Sequence, residues 1–137
     1  MSATKDRAVL RGFRRPFVWV AIWIVMMAGV VAGSLVPPST LPTPVFDGVD
    51  KLQHLLGYFA LSLYAVMLFA RQRGQALAAA GLVLLGIGLE VAQAALTESR
   101  QADLVDAACN GAGVLLALPL ASTRVAGLLQ RIDQRLR

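Results

Sequence analysis

The chain has 137 residues, 57% hydrophobic and 15% charged, with a mean hydropathy of +0.65 and a formal net charge of +5. A soluble domain of this size needs more charge on its surface, so the composition excludes an ordinary water-soluble globule and leaves a single membrane domain. Strands are excluded as well, because the apolar runs show no period-two alternation and an open sheet edge in lipid leaves backbone groups unpaired.

Residues 1–15 carry Lys5, Arg7, Arg11, Arg14 and Arg15 and read as a basic tail lying on an anionic leaflet. Pro16 opens the first apolar run, 17–36, with Trp19 and Trp23 near its start as interface anchors. That run exceeds the ~7–15 apolar residues of a cleavable signal segment, so it is expected to stay as a span. Gly29 and Gly33 form a small-xxx-small pair suited to a closely approaching helix. Between 37 and 49, Pro37, Pro38, Pro42 and Pro44 exclude a helix and favour a stiff extended strap.

Further apolar runs cover 52–70, 75–96 and 104–121, each close to the ~20 residues that cross ~30 Å of hydrocarbon as helix. Gly81, Gly86 and Gly88 in the third are read as close-packing positions, and Pro119 should end the fourth early. After 122, Val125, Leu128, Leu129, Ile132 and Leu136 recur at helical spacing among basic residues, the pattern of a short amphipathic interfacial helix. The predicted architecture is all-α: a bundle of four transmembrane helices over 16–121, between a basic tail, 1–15, and a basic amphipathic tail, 122–137.

Charge sets the expected orientation. Four spans with alternating loops put eleven of the 13 cationic side chains on one side, leaving only Lys51 and Arg100 on the other. The positive-inside rule makes the rich side cytoplasmic, giving an N-in, C-in, multi-pass protein of the inner (cytoplasmic) membrane. The basic tails lack the interleaved aromatics and folded basic face of a nucleic-acid site, so no nucleic-acid partner is expected. Cys109 is the only cysteine, which excludes an intrachain disulfide, and it reads as a small buried apolar residue.

The chemistry lies in polar residues that interrupt the apolar runs. Asp50, His54 and Tyr58 recur every four residues and share a helix face; so do Glu90 and Gln93, and Asp103, Asp106 and Asn110. At ~1.5 Å per residue, Tyr58, Glu90 and Asn110 all lie about 9 Å inside the same boundary. His54, Gln93 and Asp106 lie nearer that boundary, with Asp50, Lys51, Arg100 and Asp103 at the rim. Ionisable groups inside a membrane are costly and mark functional sites. Three helices with matching polar layers describe a cup open to the outer face, over which Arg100 is expected to fold to meet Glu90 or Asp106.

The string Asp50-Lys51-x-x-His54-x-x-x-Tyr58-x-x-Leu61 resembles the first signature of the VanZ-like family of small membrane proteins. Glu90-x-x-Gln93, Arg100 and Asp106-x-x-x-Asn110-x-x-Gly113 resemble its second. The likeness covers about residues 17–120. Ala117 stands where the family has a further glycine, which puts close helix packing at that point in doubt. The resemblance implies a cell-envelope protein and, through the member that names the family, tolerance of the glycopeptide teicoplanin. It supplies no reaction.

The site residues expected to bind a ligand are therefore Asp50, Lys51, His54, Tyr58, Glu90, Gln93, Arg100, Asp106 and Asn110. The expected ligand is a lipid headgroup, a lipid-linked envelope precursor or a glycopeptide. There is no Gly-x-Ser-x-Gly elbow, glycine-rich phosphate loop or His-Glu-x-x-His motif, so the reading leans away from an enzyme. No cofactor is expected and no metal ligands are assigned. A metal-assisted hydrolase or transferase on a lipid, using His54 with Asp50, Asp106 or Glu90, is one alternative. A proton-coupled carrier using Glu90 and His54 is another, and it would require a homo-oligomer.

Overall fold

A computed structural model describes residues 8–36, 48–96 and 103–136. It contains α1 (Pro16–Leu35), α2 (Val49–Leu68), α3 (Gln72–Leu96) and α4 (Leu104–Ala117), then two 3-10 turns (Leu118–Ser122 and Arg124–Gly127) and α5 (Leu128–Arg135). No strand forms among the described residues; one isolated bridge joins Leu10 and Phe69. Pro16 occupies the first helical turn of α1, where its missing N–H costs nothing. Pro119 converts the end of the fourth run to 3-10 geometry directly after Ala117, as its ring requires.

The helix at the centre of the bundle is α2. Tyr58, Leu61, Ser62, Tyr64, Ala65, Val66, Met67 and Leu68 are all buried on it, whereas α1 buries only Trp19. Its tightest neighbour is α4. A Cβ added at Gly113 would lie 2.2 Å from Leu55 O and 2.9 Å from Phe59 N, so the two backbones touch there and only glycine fits. Ser62 Oγ donates to Val114 O at 2.9 Å in the same seam. Ala117 is fully buried, so close packing persists at that point too.

Three helical segments have the length and apolarity of membrane spans: Pro16–Leu35, Gln72–Leu96 and Leu104–Ser122. Their apolar side chains face outward, as with Phe17 on α1, Leu77, Leu84 and Val91 on one stripe of α3, and Leu115 on α4. That much exposed apolar surface fits lipid rather than water. The chain alternates in direction, so the ends of α2 and α4 and the starts of α1 and α3 share one end of the bundle. This tail end is closed by both terminal segments.

Residues 8–15 run across the end of α2: Arg11 N donates to Leu68 O and Ala70 N to Val9 O, both at 3.0 Å, and Arg11 Nη2 donates to Val66 O at 3.2 Å. Helix C-termini leave carbonyls without partners, and this strip supplies donors for them. The basic tail therefore does not simply rest on lipid, as its charge suggests. From residue 8 onward it is part of the folded body, and residues 1–7 lie outside the described region.

From α5, Asp133 accepts hydrogen bonds from the Trp19 indole at 2.8 Å and from the Arg14 backbone N–H, and Arg15 N–H also reaches it. A carboxylate at the start of α1 also meets the positive end of the helix dipole. Burial alone would raise the Asp133 carboxyl. The three donors and the Arg15 charge outweigh it and hold the group below its ordinary value of 3.8.

These contacts correct other expectations. Trp19 and Trp23 do not form a lipid-facing belt: Trp19 is buried, and the Trp23 indole donates to Leu61 O at 3.1 Å. Both indole N–H groups have protein acceptors, so both rings turn inward. A methyl added at Gly29 or Gly33 would meet nothing within 4 Å, and the same holds at Gly81 and Gly88; of the α3 glycines read as packing positions, Gly86 alone is one. Cys109 is half-buried rather than buried.

Candidate functional site

At the opposite end, α2, α3 and α4 bring their polar faces together. His54, Glu90 and Asp106 each offer one ligand-type atom, and these atoms lie within 4.8 Å of one another. His54 Nδ1 is 3.0 Å from Asn110 Oδ1 and 4.0 Å from Glu90 Oε1, while Nε2 is 3.9 Å from Asp106 Oδ2. An amide oxygen accepts only, so Nδ1–H donates in the Asn110 contact and Nε2 is turned toward Asp106.

Local sequence explains how each element presents its group. The first turn of α4 begins with Asp103 as N-cap, whose Oδ1 accepts from Val105 N at 2.7 Å. That bond, reinforced by Lys51, keeps the Asp103 carboxylate below its ordinary value. The backbone N–H of Asp103 in turn reaches Glu90 Oε2 at 3.4 Å, tying the cap of α4 to α3. Lys51 stands at the rim, with Asp50 and Asp103 both 3.4 Å and Asp106 3.5 Å from its Nζ.

The floor is formed by Tyr58, Asn110 and Gly86. A methyl on Gly86 would meet Asn110 Cβ and Nδ2 at 3.1 Å and Tyr58 Cε1 at 3.3 Å, so the glycine lets these side chains lie flat against α3. Tyr58 is 1% and Glu90 5% exposed, yet Tyr58 Oη and Glu90 Oε1 have no hydrogen-bond partner, and Asp106 Oδ1 has only its 3.5 Å ion pair with Lys51. Buried polar atoms are nearly always paired, and an unpaired one costs about 1–3 kcal/mol or more if charged. Two such buried oxygens in one cluster make this the candidate site.

Of the nine residues singled out from sequence, His54, Glu90, Asp106, Asn110, Tyr58 and Lys51 meet in this hollow. Asp50 is at its exposed edge, held by Lys51. Gln93 turns toward α1, donating to Ser34 O at 2.6 Å, and so ties α3 to the end of the first helix. Arg100 and the proline strap, 37–47, lie outside the described residues. Sequence spacing missed Asp103 as the organiser of the mouth, although an acidic residue just before a helical run is a cap signal. Sequence offered His54 with Asp50, Asp106 or Glu90 as metal ligands only as an alternative, because the groups lie on different helices and form no spacing motif; the fold brings His54, Glu90 and Asp106 together and leaves Asp50 at the exposed edge.

No family model, curated protein or solved structure matches this chain.

Proposed function

We propose that the chain is a small four-span membrane protein, with both termini in the cytoplasm, whose outward-facing cup binds the polar headgroup of a membrane lipid or lipid-linked envelope precursor. The observation that carries the reading is the cluster itself: His54, Glu90 and Asp106 within 4.8 Å, beside buried oxygens of Glu90 and Tyr58 that lack hydrogen bonds. A headgroup rich in hydroxyl or amine donors would supply what those oxygens need, and its acyl chains would lie against the apolar flanks of α3 and α4.

An even number of crossings is supported by the tail end. Three crossings would separate the termini by the bilayer, but Asp133 near the C-terminus bonds to Trp19 and to the backbone before α1. The fourth crossing would be α2, whose lower apolarity is acceptable because its polar face is covered by protein. The end it shares with the termini collects Arg11, Arg14, Arg15, Arg71, Arg73, Arg124, Arg131 and Arg135, and the positive-inside rule assigns such an end to the cytoplasm. The cup then faces outward. The VanZ-like signatures fall on the cup residues, which extends the proposal to glycopeptide tolerance.

The test is lipid analysis of protein purified in mild detergent, alongside teicoplanin sensitivity of a deletion strain. Wild type should retain a distinct headgroup class, and the His54→Ala and Glu90→Gln variants should lose it while still inserting. Identical lipid profiles for all three would end the proposal.

A further inference from the structure

We propose that His54, Glu90 and Asp106 together bind one divalent cation of the Zn2+ type at the mouth of the cup. The inference rests on the cup being a ligand site and names a ligand that the headgroup reading does not require.

Three observations lead there. The first is the donor set, one imidazole and two carboxylates, a mixture that suits zinc and its neighbours better than magnesium or calcium, which favour all-oxygen shells. Any three atoms within 4.8 Å of one another surround a point no more than roughly 2.8 Å from each, against bonds of about 2.0–2.2 Å. Side-chain adjustments of less than an ångström close that gap. With three protein ligands, the cation keeps an open position toward the mouth.

The second is the outer shell. Histidines that bind metals usually pass their other ring N–H to a carbonyl or carboxylate, which fixes the tautomer. Asn110 Oδ1 holds His54 Nδ1 in that manner at 3.0 Å, and Asp103 N–H steadies Glu90 through Oε2. Glu90 Oε1, 5% exposed as a residue, is left without a hydrogen-bond partner and faces the His54 ring, 4.0 Å from Nδ1.

The third is charge. Asp50, Glu90, Asp103 and Asp106 crowd the site, and among the described residues Lys51 is the one permanent cation seen against them. A buried carboxylate is stable when paired or metal-bound. A divalent cation would relieve this excess, and its open position would accept an anionic oxygen such as a headgroup phosphate, which the bare carboxylates would repel.

The test uses full-length protein purified through a tag without histidine, stripped with chelator and equilibrated with Zn2+ alone. Elemental analysis should find one zinc per chain. Asp106→Asn and His54→Ala should reduce this to background, Asn110→Ala should weaken affinity about 10–100-fold, and Cys109→Ser should change nothing. Because His54 is the only histidine, pulsed EPR of the Cu2+-loaded wild type should show coupling to one imidazole nitrogen, a readout independent of variant folding. Background zinc in wild type, no imidazole coupling, or full zinc in a folded His54→Ala protein would each overturn the proposal. Lipid retention measured with chelator present separates the two readings: headgroup retained without zinc binding refutes the cation and spares the cup, and zinc binding without any headgroup does the reverse.

Discussion

Each end of the bundle is organised around a buried carboxylate, and the two are treated in opposite ways. At the tail end Asp133 is surrounded by donors from Trp19, Arg14 and Arg15. At the cup end Glu90 receives one long bond from Asp103 and keeps an oxygen without a hydrogen bond, as do Tyr58 Oη and Asp106 Oδ1 beside it. Full pairing rigidifies a structure; incomplete pairing leaves chemistry available at a cost in stability. The difference sets the carboxylate that holds the tail end together apart from the one proposed to meet a ligand.

The largest effect should come from the seam that supports the cup. Gly113→Ala forces a methyl against the Leu55 and Phe59 backbone and should cost about 3 kcal/mol, the upper range for overpacking, or more. Thermal unfolding in detergent checks this, with Gly111→Ala as the partner variant; Gly111 faces open space and its substitution should be neutral or slightly stabilising. Equal losses at the two positions would mean that α2 and α4 are not in backbone contact.

Next, the ends should respond oppositely. Trp19→Phe removes a donor from Asp133 and should lower Tm by several degrees while leaving ligand retention unchanged. Glu90→Gln removes the under-paired carboxylate and should leave Tm equal or higher while abolishing retention. A Glu90→Gln protein that unfolds more readily than Trp19→Phe would reverse the assignment of roles.

A smaller effect concerns acid. The folded-state pKa of Asp133 is depressed, so its stabilisation is fully present above its ordinary value of 3.8 and is lost as pH falls through the lower folded value. Asp103 acts in the same direction, so the difference between wild type and Asp133→Asn isolates the tail end. Tm measured from neutral pH to below 3.8 should fall more for wild type than for the variant, and parallel curves would remove Asp133 from the account.

The helices are legible in the sequence because apolar length and proline positions are local signals: Pro16 and Pro119 mark the observed ends closely. The shared faces of His54 with Tyr58 and Asp106 with Asn110 are legible too, since helical periodicity alone dictates them. Pairing across helices is not. Nothing local to Asp133 says that it will meet Trp19, 114 residues away, so sequence alone makes the tail a lipid-bound appendage. The glycines show the same limit: Gly29 and Gly113 look equivalent in sequence, and only the fold decides which one has a backbone against it.

The position of α2 carries a consequence for how the protein is made. Its second half is enclosed by its neighbours, it is not among the three segments apolar enough to span by themselves, and Asp50, Lys51 and His54 lie in its first turns. A segment of that kind gains little by entering lipid alone. Under the proposed four-span arrangement, it would wait near the translocation machinery as the nascent chain emerges until α3 and α4 arrive to shelter it, so biogenesis would hinge on the order in which helices find one another, and damage to α4 would show first as failed insertion of α2.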